Sequence, residues 1–187
     1  MKLNLHTIQF VTISLLISAA RCEGAHTPPP AITGTVTFDG SGASLSPGEG
    51  WYRYEPPTGA GVFLRDGTAC GPIIASESGM LSVSLRDKQH SSLESMAARV
   101  RAECDSLASA DRRSFRRETF VSESGLRGLH VSYDQRSVRD RRARATRCHH
   151  YFVINRDGRG VDIAYLADSE RDSKAAHQMI RKSLSLQ

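Results

Sequence analysis

Cysteine and histidine stand side by side once in this chain, at Cys148-His149-His150. Thiolate and imidazole are the soft and borderline donors that suit zinc or copper. Adjacent residues of a strand point to opposite faces, so His149 and His150 do not chelate one ion together there. In a regular strand Cys148 and His150 share a face, and His130 joins them from a neighbouring strand only in a register that the sequence leaves open. His130, Cys148 and His150 are therefore the candidate metal set, or the reactive group of a small hydrolytic enzyme. The competing reading is structural: polar residues entering a strand, with Cys148 in a disulfide.

A second cluster is basic. Arg136, Arg139, Arg141, Arg142, Arg144 and Arg147 crowd one connection, diluted by Asp134 and Asp140. Guanidinium groups bind carboxylates and phosphates bidentately, so this loop is the candidate contact for an acidic protein or another anionic partner. Nucleic-acid binding normally adds stacking aromatics, and the loop has none. The alternative is a solvated charged loop. The third candidate, Cys70, lies in Gly67-Thr68-Ala69-Cys70-Gly71-Pro72. No signature places a histidine beside it, so a disulfide that anchors the loop is expected rather than a nucleophile.

Familiar catalytic patterns are missing. Each Gly-x-Gly pair fails to extend to Gly-x-Gly-x-x-Gly, and there is no phosphate-binding Gly-Lys-Ser/Thr, His-Glu-x-x-His or Gly-x-Ser-x-Gly. Carboxylates are scattered, so spacing suggests no acid–base pair. No catalytic residue and no cofactor is assigned.

The compartment follows from the first residues. Lys2, the apolar run Ile8 to Ile17 and Ser18-Ala19-Ala20 read as an export signal over 1–20, too short to span a membrane. Leu16 to Cys22 also resembles a lipoprotein signal, but Arg21 replaces the small residue that should precede the cysteine. Secretion or periplasmic export is the expectation, with lipidation of Cys22 the lesser one and no transmembrane span. Pro28-Pro29-Pro30 make 21–32 a linker, and 33–187 reads as one domain. In an exported chain, Cys70, Cys104 and Cys148 are the disulfide candidates, and Cys104 with Cys148 is one available pairing. The chain has 25 basic and 20 acidic residues, and only four of the basic ones are lysines. That balance bears on solubility and association rather than on fold.

The elements that position these residues can be taken in order. Thr33–Phe38, Trp51–Tyr54, Gly61–Leu64, Pro72–Ala75 and Met80–Leu85 read as strands, with 41–50 a loop. Trp51, Tyr52, Tyr54, Phe63 and Phe152 read as core. Leu93, Met96, Ala97, Val100, Cys104 and Leu107 form one stripe at helical spacing within 87–110, capped by Ser91 or Ser92. Arg112 to Arg117 reads as a basic connection. Strands follow at 118–121, 127–133, 151–154 and 161–165. Asp157-Gly158 turns the last pair. A helix over 171–183, capped by Ser169 with Asp172, closes the chain.

This order, with Pro47-x-x-x-Trp51 opening one strand and a final strand–helix unit ending in Ile180-Arg181-Lys182-Ser183-Leu184, resembles the PsbP-like fold. That fold is shared by the photosystem II extrinsic subunit P family and a Ran-binding nuclear-import factor family. The resemblance covers about Thr33 to Leu186. It implies an α+β domain with a central, mainly antiparallel sheet flanked by helices on both faces, an α/β/α sandwich. Its members act by binding protein partners, which implies a non-catalytic binding or accessory module, and the leader-like first residues make it an exported one. No family site residue carries over, and fold analogy by itself does not establish the function.

Overall fold

The computed structural model describes residues 29–54, 67–77, 79–136, 145–167 and 169–186. About half of those residues lie in antiparallel sheet, and two α-helices accompany it. A seven-stranded sheet runs in the order β3 (Tyr52–Tyr54), β4 (Gly67–Ser76), β5 (Gly79–Arg86), β9 (Gly160–Ala167), β8 (Thr146–Ile154), β7 (Arg127–Gln135), β6 (Ala110–Val121). A small sheet joins β1 (Val36–Phe38), β2 (Ala43–Leu45) and β10 (Ser185–Leu186). The helices are α1 (Leu93–Ser106) and α2 (Glu170–Ser183), and a 3-10 turn at Lys88–His90 precedes α1. Among the described residues no helix is long and apolar enough to cross a membrane.

Alternation along the central strands supplies two cores. From β8, Tyr151 and Val153 join a cluster with Leu81, Val83, Val161, Ile163 and Tyr165, the small sheet, and Ala176 and Ile180 of α2. The intervening Cys148 and Phe152 join a second cluster with Leu129, Val131 and Tyr133 of β7 and with Met96, Ala97, Val100 and Cys104 of α1. The α1 stripe is thus the one that the helical period marked out. Ser92 caps α1 by accepting a bond from the Ser95 amide. Ser169 does the same for the Asp172 amide in α2, satisfying a donor that the first helical turn leaves free. Gly158, at a φ of 72°, makes the β8–β9 turn that only glycine enters without strain.

Three sequence expectations change. Arg112 to Arg117 is not a connection but part of β6, a strand of 12 residues at the edge of the large sheet. Its register slips between Asp111 and Arg116, and polar residues there hid the strand period. The 41–50 loop contains β2. Gly67 to Pro72 is not a loop either: β4 runs straight through Cys70, with an irregularity between Cys70 and Ile74. The expected strand at 61–64 and the export signal over 1–20 lie outside the described residues.

Candidate functional site

The densest chemistry lies where β6, β7 and β8 meet α2. The β6–β7 hairpin pairs Glu118 with His130, and the β7–β8 register pairs His130 with Tyr151 and Ser132 with His149. Opposed residues of an antiparallel pair share a face, so Glu118, His130, His149 and Tyr151 all stand on one side of the sheet. Helix α2 adds His177, one position beyond the buried Ala176. Gly128 of β7 makes room next door, because Phe120 lies across its bare Cα and meets Tyr151 edge to face.

The side chains form a chain of contacts. Nδ1 of His130 is 2.8 Å from Oε1 of Glu118, and Nε2 of His130 is 2.9 Å from Nδ1 of His149. The His130 ring stacks on Tyr151 at 4.4 Å between centroids. The Tyr151 hydroxyl is 3.2 Å from Nδ1 of His177. Nε2 of His149 is buried and has no hydrogen-bond partner. Glu118 is the exposed member, with 61% of its side chain accessible against 8% for His130. The array therefore opens to solvent at its carboxylate end.

Burial sets the charge state. It pushes the His130 imidazole below its usual range, although the bond to Glu118 partly offsets this. Burial, reinforced by His130, drives His149 down to about 3. Burial also lowers His177, with Glu118 pulling upward and Arg181 downward. All three rings are neutral at pH 7, so each keeps one nitrogen lone pair available to an acceptor role or a metal.

The expected metal set is not brought together. His130 lies on the α2 side, while Cys148 and His150 lie on the α1 side, because Tyr151 rather than His150 opposes His130. His150 instead accompanies a buried ion pair: its Nδ1 is 3.1 Å from Oδ1 of Asp162, and Asp162 also accepts from Nη2 of Arg86. Burial alone would raise the Asp162 carboxyl, but His150 and Arg86 outweigh it and hold it at about 2. Cys70, Cys104 and Cys148 are all buried free thiols, so no disulfide joins Cys104 to Cys148. Burial pushes Cys148 up to about 12 and raises Cys70 and Cys104 as well, the opposite of what a nucleophilic thiolate needs.

Of the arginine cluster, Arg139, Arg141, Arg142 and Arg144 lie outside the described residues. Arg136 is exposed. Arg147 is spent on Asp134, to which it donates two bonds at 2.7 and 3.0 Å. The correction to β6 adds others. Arg112 and Arg116 are exposed and donate to the backbone carbonyls of Asp105, Arg113 and Phe115, so no carboxylate among the described residues neutralises them. Arg117 is paired with Glu94 of α1.

Glu118, His149, Tyr151 and His177 were absent from the sequence-derived site. An approximate signal existed for one of them. Counting back from the Ser122–Gly125 turn sets Glu118 against Leu129, one residue short of His130, because the hairpin first pairs Val121 with Arg127 and so includes Leu126 in its connection. His177 needed the pitch of α2 over the sheet, which no local pattern encodes. No family model and no curated protein matches this chain.

Proposed function

We propose that this chain is an exported, non-catalytic accessory module that docks an acidic protein partner on the arginine-bearing edge of its large sheet. The observation that carries the reading is β6: an outermost strand on which Arg112 and Arg116 stand exposed and unmatched by a carboxylate among the described residues. Arg113 on the same strand and Arg136 at the end of β7 are exposed too. Arg139, Arg141, Arg142 and Arg144 follow Arg136 in the sequence and add to the basic charge available to such a partner.

The edge suits charge recognition better than strand addition. Its register slip and its arginines are devices that keep a second strand from pairing there. Guanidinium groups on it would steer and orient a carboxylate-rich surface, with an affinity that falls as salt rises. The PsbP-like α/β/α arrangement and a periplasmic or secreted location are part of the same reading. The separate clusters around α1 and α2, reached by alternate residues of β8, support the first. The leader-like start of the sequence supports the second.

The test is cross-linking and affinity capture from an envelope extract, comparing the natural chain with Arg112→Ser/Arg113→Ser/Arg116→Ser and with a six-residue Arg→Ser loop variant. The expected result is a salt-sensitive partner lost from both variants. An identical captured set at every salt concentration sinks the proposal.

A further inference from the structure

We propose that Glu118, His130 and His177 form a binding site for one divalent first-row transition metal of the zinc or copper class. One carboxylate oxygen and one nitrogen from each ring lie within 4.8 Å of one another. Two imidazoles and a carboxylate are the donor set of open zinc sites, and borderline nitrogen donors favour the late end of the divalent series.

The geometry is nearly assembled. Two donors bound to one ion at about 2.05 Å sit roughly 3 Å apart. Nδ1 of His130 and Oε1 of Glu118 are already 2.8 Å apart. His177 is the group that moves, and it has room to do so because it is only half-buried on α2. Glu118 leaves the remaining coordination positions open to water.

The outer nitrogens are occupied as metal-bound imidazoles require. A ligating histidine characteristically holds its other ring nitrogen on a fixed partner, which sets tautomer and orientation. Nε2 of His130 faces His149, and Nδ1 of His177 faces the Tyr151 hydroxyl. The nitrogens left for the ion are Nδ1 of His130 and Nε2 of His177. Arg181 of α2 is the positive group that acts on His177, and Glu118 opposes it.

Metal binding changes the tautomer of His149. Without metal, Glu118 accepts the Nδ1 proton of His130, so Nε2 of His130 accepts from Nδ1 of His149. Nε2 of His149 is then a buried lone pair with no partner. An ion on Nδ1 of His130 calls for the other tautomer of both rings, with one proton on Nε2 of His130, donated to Nδ1 of His149, and one on Nε2 of His149, where it is a buried donor without an acceptor among the described residues. Both rings stay neutral, and no proton is gained or lost overall.

The site stands apart from the docking reading and survives its failure. The test uses the whole chain, dialysed against a chelator and titrated with Zn²⁺ by calorimetry and with Cu²⁺ by electron paramagnetic resonance. The expected result is one equivalent of zinc and a copper signal split by two nitrogens. Glu118→Gln and His177→Ala, at exposed and half-exposed positions, each weaken zinc at least tenfold while circular dichroism is unchanged. Cys148→Ser leaves binding as it was. Absence of a one-to-one zinc complex at tens of micromolar, binding that persists in both ligand variants, or binding abolished by Cys148→Ser overturns the proposal.

Discussion

The imidazoles of His130 and His149 lie parallel within 6°, their facing nitrogens 2.9 Å apart, although the two residues sit on different strands. They meet because Tyr151, two residues beyond His149, is the register partner of His130. Both rings are buried, so neither gains a proton without cost.

That cost predicts a pH dependence. The folded state holds His149 at about 3, below the ordinary histidine value near 6.5 that the unfolded chain keeps. Between these limits the unfolded chain binds more protons, so stability is complete above about pH 6.5 and falls as pH drops towards 3. His130 and His177 are shifted in the same direction and add to the loss. Between pH 7.5 and 4.5, His149 alone accounts for about 2–3 kcal/mol. Urea midpoints across that range should fall steadily, and His149→Asn should flatten the slope. A midpoint that holds level in the natural chain would show that the array does not fold neutral.

A second prediction concerns Arg86 and Asp162, whose side chains are 5% and 2% accessible. Removing one partner leaves the other charge buried and uncompensated, so Asp162→Ala should cost about 3–5 kcal/mol. Arg86 also keeps two nitrogens without partners, so part of its desolvation is already unrecovered. The double variant Arg86→Met/Asp162→Leu should therefore unfold closer to the natural chain than Asp162→Ala does. Chemical denaturation of the three proteins decides this, and additive losses would contradict it. The Asp162 carboxyl, held at about 2, also contributes stability above the unfolded value near 3.9 that disappears as pH falls through 2.

The sequence disclosed what repeats locally. The α1 stripe, the Ser169 cap and the Asp157-Gly158 turn follow from periods and turn chemistry within a dozen residues, and the structure has each of them. It concealed what depends on the partner strand. The residues of β6 are mostly exposed, so the apolar alternation that betrays a half-buried strand is absent, and Arg112 to Arg117 looked like a connection. The same blindness displaced the candidate site. His130 was correctly set among strand residues, but a one-residue difference in register sends its companions to the opposite face. Cys148 and His150 were thus exchanged for His149 and Tyr151.

The thiols give a third prediction. Cys70, Cys104 and Cys148 are at most 5% accessible, and burial raises the pKa of each. In a Cys22→Ser background, native protein at pH 8 should react with Ellman's reagent on the timescale of unfolding, then release three equivalents in denaturant. Rapid native labelling of Cys70 would reopen the nucleophile reading. A missing pair of equivalents would place a disulfide where the structure has free thiols.

The last prediction comes from Gly128. A methyl group added there would stand 2.5 Å from Cε1 of Phe120 and 2.5 Å from the Phe152 carbonyl oxygen. The carbonyl is backbone in the middle of β8, so it yields only by bending the strand, and Phe120 must swing away from Tyr151. Overpacking of this kind costs about 1–3 kcal/mol. Because Phe120 braces the ring on which His130 stacks, Gly128→Ala should also shift the His130 and His177 imidazole resonances in heteronuclear spectra. Gly158→Ala is the control. It strains the β8–β9 turn at positive φ but meets no atom within 4 Å, so it should lower stability and leave those resonances in place. Equal disturbance of the imidazoles by both substitutions would mean that the array answers to global loosening, and that Phe120 does not hold it.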